Sequence, residues 1–263
     1  MPARTVFRRK RRMIREETVF GPIRSRRLGN SLGINLLPRK GKLCNFDCIY
    51  CECGWNADGR EDRTLPSGRE VSEALKNALE ECRDRGTAID SITFSGDGEP
   101  TLHPEFPQIV REVIRLRDRY FPESKVTVLS NATQVHRKEV LEALRMVDNP
   151  VMKIDAATSQ GAVLVNRPAP GYSVDGVVEA LKGFEGDFIL QTMFLKAPFF
   201  DSSERANLDG WMNIVRELHP REIMVYTLDR PAPMEGLLKF SVAQMAEFVK
   251  PLLDEGFNIQ IKG

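Results

Sequence analysis

Strand-like and helix-like segments alternate along most of this 263-residue chain. Residues 32–37 and 125–130 are apolar β-type runs, whereas Val71, Leu75 and Leu79 between them recur at helical spacing. Strands that alternate with helices through short connections form a parallel sheet, covered by helices and joined by right-handed crossovers. The pattern therefore predicts an α/β fold, specifically a partial (β/α)6 TIM-like barrel of parallel strands.

The predicted elements continue this alternation to residue 261. Strands are predicted over residues 32–37, 91–95, 125–130, 151–155, 188–195, 222–227 and 258–261. One helix is predicted to open at residues 67–70, and others over residues 105–119, 137–146, 174–183, 204–218 and 242–255. With 41% apolar residues, a chain of this length can bury a sizeable core as one domain. We therefore expect a core domain over residues 21–263, preceded by a basic arm over residues 1–20.

The sequence lacks the signals of a membrane or secreted protein. A membrane span needs about 18 consecutive apolar residues, and no such stretch occurs. The basic run at residues 8–12 is not followed by the apolar segment that a secretory signal requires. We therefore expect a cytoplasmic protein whose five cysteines are kept reduced.

Three cysteines with C-x3-C-x2-C spacing, Cys44, Cys48 and Cys51, follow the first predicted strand. Thiolates are soft ligands that hold iron–sulfur clusters. Three of them bind three corners of a [4Fe–4S] cube and leave the fourth iron open to a small molecule. An electron carrier instead surrounds its cluster with four cysteines. The triad therefore indicates a cluster that takes part in chemistry.

Three alternatives to an open cluster are a zinc site, a disulfide and a four-cysteine carrier. Zinc needs four ligands, and the three histidines, His103, His136 and His219, are scattered singly downstream. A disulfide is not expected in a chain without an export signal. A zinc site or a carrier would need a further ligand such as Cys53 or Cys82. We expect Cys53 to be a bystander thiol and Cys82 to be buried on a helix.

A second motif follows the strand predicted at residues 91–95. Residues 96–104 are rich in glycine and proline and include Gly98, Glu99 and Pro100. Glycines at a strand end let a ligand approach the backbone closely, and an anionic Glu99 can hold an ammonium group. On its own this pattern is weak, because most turns rich in glycine and proline have no further role.

Together the two motifs resemble those of radical S-adenosylmethionine (radical SAM) enzymes. Their C-x3-C-x2-C motif has an aromatic residue before the last cysteine, where Tyr50 stands here. The resemblance implies a [4Fe–4S] cluster on the three cysteines and S-adenosylmethionine (SAM) on its open iron. It also implies reductive cleavage of SAM to a 5′-deoxyadenosyl radical that abstracts hydrogen from a substrate. A reductant such as flavodoxin or ferredoxin is implied as well.

The resemblance also implies SAM-binding residues beyond the cysteines. Residues 97–100 resemble the Gly-Gly-Glu-Pro element of the family, which carries over to Gly98, Glu99 and Pro100 but not to Asp97. In a barrel of parallel strands, ligands bind at the carboxyl ends of the strands. Asn131 and Asp155 follow predicted strand ends and are candidates to lie near SAM, although such residues also cap turns and helices.

Charge is unevenly distributed. Residues 1–43 hold 13 Lys and Arg against two Glu, a net charge of +11, so the remaining residues sum to −10 for a total of +1. A basic arm of this kind favours contact with RNA or another polyanion, or it folds against the acidic body. Without aromatic residues among residues 8–15, stacking on nucleic acid bases has no support.

Further motifs narrow the resemblance. Residues 21–33, 95–104, 166–168 and 226–231 resemble a branch akin to the wyosine-base-forming tRNA enzymes, but the cysteines for a second cluster are absent. Arg167 and Arg230 in these motifs are expected either at the substrate mouth or in surface ion pairs. The predicted function is SAM cleavage for hydrogen abstraction from an unidentified substrate, a tRNA base or a small molecule. The alternatives are an enzyme that installs a glycyl radical on a partner protein and a non-catalytic metal-binding module.

Overall fold

The computed structural model describes residues 17–25, 28–59 and 62–263. The predicted basic arm up to residue 16, and Arg26 and Arg27, lie outside the described residues. In chain order the strands are β1 Val19–Ser25, β2 Gly29–Ile34, β3 Ser91–Phe94, β4 Lys125–Ser130, β5 Asn149–Lys153, β6 Ile189–Met193, β7 Leu195–Ala197, β8 Phe200–Asp201, β9 Glu222–Tyr226, β10 Leu238–Lys239 and β11 Ile259–Lys262. The helices are α1 Gly68–Asp84, α2 Phe106–Tyr120, α3 Lys138–Arg145, α4 Ser159–Val165, α5 Val174–Leu181, α6 Arg205–Leu218 and α7 Val242–Asp254.

An eight-stranded sheet forms the body of the described chain, in the order β1-β2-β3-β4-β5-β6-β9-β11. From β2 to β11 all neighbouring strands run parallel, and β1 pairs antiparallel with β2 at one edge. The sheet curls into a half-barrel, and its two edge strands do not pair with each other. The predicted fold class, a partial TIM-like barrel of parallel strands, is confirmed.

The helices cover the outer face of the sheet because each has one apolar side. In α1 the buried residues are Val71, Leu75, Leu79 and Cys82, at the spacing expected of an amphipathic helix. The helix begins after Ser67, which forms a capping box with Glu70. This start agrees with the one predicted from the sequence. Cys82 is buried in the core, as expected.

The concave face of the half-barrel is more polar than the outer core. A row of buried hydroxyls crosses its first strands, with Ser31 Oγ 2.8 Å from Thr93 Oγ1 and Ser91 Oγ 2.9 Å from Thr127 Oγ1. A small apolar cluster, Val151, Ile189 and Met224 with Leu129 packed against it, lies farther along the sheet. Buried hydroxyls must find partners, and neighbouring strands in register supply them here.

Some elements differ from their predictions. The strand predicted over residues 188–195 is divided, because β6 ends at Met193 and β7 leaves the main sheet to pair with β8 and β10. The strand predicted over residues 32–37 is β2, which ends at Ile34, so that Leu36 and Leu37 are buried in the following loop. The strand β1 and the short helix α4 were not predicted from the sequence.

The length and polarity of the helices bear on membrane insertion in the described part of the chain. None of its helices combines the length and the apolar character needed to cross a bilayer.

Candidate functional site

The cysteine loop, residues 42–56 between β2 and α1, is attached to the loop that follows β3. Leu43 forms a parallel bridge with Gly98. The Leu43 amide donates a hydrogen bond to the Asp97 carbonyl at 3.0 Å, and the Glu99 amide donates to the Leu43 carbonyl at 3.0 Å. The two sequence motifs, about forty residues apart, therefore meet at the carboxyl ends of neighbouring parallel strands.

Gly98 is required at this bridge for steric reasons. Its φ is +144°, a backbone conformation that residues other than glycine rarely adopt. A Cβ atom added there would lie 1.8 Å from the Leu43 carbonyl oxygen, far inside van der Waals contact. The close approach of the two loops therefore depends on the missing side chain.

The middle of the cysteine loop is attached to the segment that follows α4. The Ile49 amide donates to the Val165 carbonyl at 3.0 Å, and the Asp47 amide donates to the Asn166 carbonyl at 2.9 Å. The Ala169 amide in turn donates to the Asn45 carbonyl at 2.7 Å. The loop is thus fixed by backbone hydrogen bonds on two sides.

Each of the three sulfurs of the cysteine triad has polar groups of the protein beside it. The side-chain amide of Asn166 donates toward Cys48 Sγ at 3.4 Å, and that of Asn131 donates toward Cys44 Sγ at 3.8 Å. The Cys44 sulfur also accepts from the Phe46 backbone amide at 3.4 Å. The Cys51 sulfur interacts instead with Cys53 and with the Lys42 ammonium.

The pKa shifts of these three thiols indicate which kind of ligand the cysteine loop can hold. Burial raises the pKa of the Cys48 thiol to about 11 and that of the Cys44 thiol well above its usual range, and neighbouring negative charges add to both shifts. At Cys51, a hydrogen bond from Cys53 and the nearby Lys42 lower the pKa. Three buried thiolates are therefore stable together only when positive charge binds among them, as iron does. This donor set fits the predicted cluster.

Two further observations bear on metal binding. No three His, Cys, Asp or Glu side chains in residues 17–25, 28–59 and 62–263 are grouped for a single metal ion. Cys53 Sγ lies 3.6 Å from Asp97 Oδ1 and 3.8 Å from the Gly96 carbonyl, beside the glycine-rich turn. Its role as a bystander therefore stays a prediction.

Lys42 is a site residue that was not predicted from the sequence. It is 6% exposed, and its ammonium donates to the Gly54 carbonyl at 2.9 Å and lies 3.4 Å from Asp47 Oδ1. Burial acts to lower its pKa, but the charges of Cys51, Cys44 and Cys48 outweigh burial and raise it. Lys42 therefore stays a cation that offsets negative charge in the loop.

Glu99 joins the loop after β3 to the end of β4. Its Oε1 accepts from Thr101 Oγ1 at 2.5 Å and from Ser130 Oγ at 2.8 Å. Its Oε2 accepts from the Asn131 backbone amide at 2.7 Å. The residue is 2% exposed, and burial raises its pKa although these hydrogen bonds oppose the shift. Pro100 begins the short 3-10 turn that Glu99 caps. Glu99 therefore acts first as an internal anchor of the turn.

A second buried network lies on the other side of the cysteine loop. Asp155, 3% exposed, accepts from the Tyr50 hydroxyl, from Asn166 Nδ2 at 2.6 Å and from the Met193 amide at 2.8 Å. Asn166 Nδ2 also lies 3.1 Å from the Tyr50 oxygen. The predicted candidates Tyr50 and Asp155 are therefore in direct contact, and Asn166 connects them to Cys48.

Lys153 places a positive charge on the concave face near this network. Its ammonium lies 4.6 Å from the centre of the Tyr226 ring and 5.1 Å from that of Tyr50, and it donates to the Tyr226 hydroxyl. Asp155 Oδ1 is 3.5 Å away. Burial acts to lower the pKa of Lys153, but Asp155 and Tyr226 outweigh burial and raise the pKa to about 12. Gln191, beside Lys153 in the sheet register, is 6% exposed.

The structure thus brings together most of the residues singled out in the sequence. Around the cysteine triad lie Gly98, Glu99, Pro100 and Asn131 on one side and Tyr50 and Asp155 on the other. Arg230 instead forms an ion pair with Glu52 at 2.6 Å, in which both side chains are 46% exposed. Arg167 stacks on the Trp55 ring at 4.8 Å. Asn166 entered the sequence analysis only through the family motif at residues 166–168. That motif is the sequence signal that points to Asn166 as a site residue.

Several known proteins are similar to this chain in sequence. A sequence model described as the radical SAM superfamily matches residues 40–186, more than half of the chain. A protein of Brachyspira hyodysenteriae named GTPase Obg is 29% identical over 252 residues, which are 94% of this chain and 35% of that protein. A UPF0026 protein of Helicobacter pylori is 29% identical over 224 residues, 83% of this chain and 68% of the relative. The chain therefore spans about a third of the first relative's length and about two thirds of the second's.

Solved structures share the fold. SuiB of Streptococcus suis, bound to its precursor peptide SuiA, has a TM-score of 0.64 at 16% identity, over 88% of this chain and 48% of that one. TYW1 with a lysine-pyruvate adduct has a TM-score of 0.61 at 13% identity, over 86% of this chain and 74% of that one. At these identities the likeness concerns the fold alone.

The Leu43–Gly98 bridge can be tested by substitution. We expect Gly98→Ala to lower the free energy of unfolding by at least about 2 kcal/mol, because strain at positive φ adds to a clash with backbone. Gly86→Ala is the matched control, since Gly86 also has a positive φ, +63°, but its added Cβ would meet nothing within 4 Å. It should cost only about 1 kcal/mol. Urea denaturation of both variants measures the difference, and equal losses would contradict the steric role of the bridge.

Proposed function

Because the chain belongs to the radical SAM superfamily, we propose that it holds a [4Fe–4S] cluster on Cys44, Cys48 and Cys51 and cleaves SAM reductively. Enzymes of this superfamily use these two cofactors. The observation that carries the proposal is the Leu43–Gly98 bridge, which joins the cysteine loop to the glycine-rich turn. One unit thereby offers three thiolates and, beside them, a turn whose backbone a ligand can approach closely.

The residues around the triad have separate tasks in this proposal. When bound, the reduced cluster and SAM supply a 5′-deoxyadenosyl radical that abstracts a hydrogen atom from the substrate. Lys42 offsets the negative charge of the thiolates from within the loop. Glu99 orients the turn and the end of β4, where Asn131 lies. Tyr50 and Asp155 hold the far side of the loop against β5 and β6.

We propose that the substrate enters at the concave face, near the carboxyl ends of the strands. Lys153 supports this position, because it is a fixed cation on that face beside Tyr226 and Gln191. A cation held between aromatic rings suits a substrate with an anionic or strongly polar group. A base in tRNA, whose nucleotides carry phosphates, and an anionic small molecule both meet this requirement. The proposed electron donor is a reductant such as flavodoxin or ferredoxin, and the proposed location is the cytoplasm.

Loss of one cysteine of the triad should abolish the cluster. We expect anaerobically reconstituted Cys48→Ala to lose the cubane absorption and to form no 5′-deoxyadenosine from SAM with dithionite. Cys82→Ala is the matched control, because Cys82 is buried on α1 within the core. It should keep both iron content and SAM cleavage. Undiminished cleavage in Cys48→Ala would contradict the ligand assignment.

Loss of the Glu99 carboxylate should weaken SAM binding while the cluster is kept. Ser130, the Asn131 amide and Thr101 would lose their shared acceptor, at about 1–3 kcal/mol for each buried donor left unpaired. That cost falls on the folded protein with or without SAM, but the turn and the end of β4 also lose the anchor that orients them toward the ligand. We therefore expect Glu99→Ala to bind SAM at least about tenfold more weakly, a factor that corresponds to about 1.4 kcal/mol. Glu99→Gln, which keeps an acceptor oxygen, should bind more tightly than Glu99→Ala. Equilibrium dialysis on reconstituted protein measures both, and equal affinity in wild type and Glu99→Ala would refute this role.

RNA as the substrate can be distinguished from a small molecule by salt. The five consecutive basic residues at positions 8–12 predict an association with tRNA that weakens steeply as salt rises. Replacing the basic residues at positions 8–12 by glutamine should reduce both the affinity and the slope of log K against log salt. Fluorescence anisotropy with labelled tRNA measures this. If tRNA does not bind, or binds with an affinity that does not depend on salt, RNA is ruled out and the small molecule stays as the proposed substrate.

A further inference from the structure

We propose that the side-chain amides of Asn166 and Asn131 donate N–H···S hydrogen bonds to Cys48 and Cys44 and thereby raise the reduction potential of the cluster. The inference rests on the proposed function, in which these two cysteines are cluster ligands. It adds two positioning residues, one of which is separated from its cysteine by 118 positions in the chain.

Asn166 is held rigidly beside Cys48. The residue is 2% exposed, and its Nδ2 lies 3.4 Å from Cys48 Sγ. Its carbonyl accepts the Asp47 amide at 2.9 Å, so its backbone is attached to the cysteine loop itself. The distance from amide nitrogen to sulfur is therefore maintained by the same contacts that hold the loop.

The number of hydrogens on Asn166 Nδ2 favours a bond to sulfur. One of its two N–H groups points to Asp155 Oδ2, 2.6 Å away. The other faces Cys48 Sγ at 3.4 Å and the Tyr50 oxygen at 3.1 Å. A cluster thiolate carries negative charge and is the stronger of these two acceptors, because hydrogen bonds to ionised groups are stronger than those to neutral ones.

Asn131 has a similar arrangement at Cys44. Its Oδ1 accepts from the Thr133 backbone amide at 3.1 Å and from Thr133 Oγ1 at 2.7 Å, which sets the orientation of the side-chain amide. The Nδ2 group then has two acceptors for its two hydrogens, Asn45 Oδ1 at 2.7 Å and Cys44 Sγ at 3.8 Å. Because Cys44 also accepts from the Phe46 amide and the distance is longer, Asn131 should have the smaller effect.

Hydrogen bonds to the sulfurs are one of the means by which a protein sets a cluster potential. Reduction adds negative charge to the cluster and its ligands, and an N–H dipole that points at a sulfur stabilises that charge. The hydrogen bond therefore stabilises the reduced cluster more than the oxidised cluster. Removing the donor should make the cluster harder to reduce.

The test is a potentiometric titration of the anaerobically reconstituted full chain, followed by electron paramagnetic resonance of the reduced cluster. Asn166→Leu and Asn131→Leu remove the N–H donors with a side chain of similar shape. At the wild-type midpoint potential, Asn166→Leu should lower the ratio of reduced to oxidised cluster about tenfold, a shift of about 59 mV for one electron. Asn131→Leu should lower the ratio less.

Two matched controls separate this effect from loss of packing. Tyr50→Phe removes a hydroxyl that bonds the same Asp155 carboxylate as Asn166, and Thr133→Val removes one that bonds Asn131. Neither hydroxyl donates to a sulfur. Without the Tyr50 oxygen, Cys48 is the acceptor that faces the second Asn166 N–H, and without Thr133 Oγ1 the Thr133 backbone amide still orients Asn131. Neither variant should therefore lower the ratio of reduced to oxidised cluster more than twofold. If the controls shift the potential as much as the asparagine variants, the proposal is wrong.

A spectroscopic signature keeps the proposal testable when a variant does not assemble its cluster. In wild-type protein with 15N-labelled asparagine side chains, the reduced cluster should show hyperfine coupling to amide nitrogen, and absence of that coupling would overturn the inference. Unchanged midpoints in variants that carry a cubane would overturn it as well. A wild-type protein that forms no cubane would instead overturn the proposed function.

Discussion

A single pair of backbone hydrogen bonds, between Leu43 and the segment Asp97–Gly98–Glu99, is the contact on which the candidate site depends. It extends the parallel pairing of β2 and β3 beyond the strands themselves and into their loops. The cysteine loop is thereby held at the carboxyl end of the sheet and not left to fold over the barrel. Without a side chain at position 98, the two backbones can approach closely enough for the bond to form.

The electrostatics of the site follow from how deeply its charges are buried. Glu99 and Asp155 are almost fully buried, and each accepts hydrogen bonds from several elements. Buried carboxylates without such partners would be strongly destabilising. Lys42 within the cysteine loop and Lys153 on β5 beside it supply positive charge. The charged groups therefore serve as internal links between loops as well as candidates for ligand binding.

Much of the fold could be predicted from the sequence because its signals are local. The strand over Lys125–Ser130 and the start of α1 agree with their predictions, since β-type apolar runs and a capping box involve residues near one another. The strand predicted over residues 188–195 was divided because β7 pairs with β8 and β10, which no local pattern indicates. The helix α4 was missed because it has seven residues, including a glycine.

The sequence by itself determined the alternation of strands and helices, the spacing of the cysteine triad and the glycine at position 98. The tertiary structure alone decided which polar side chains meet the sulfurs. Asn131 and Cys44 are 87 positions apart, and Asn166 and Cys48 are 118 apart. The reason is physical: spacing along the chain sets contacts within one element, whereas contacts between loops depend on the order in which the strands pair.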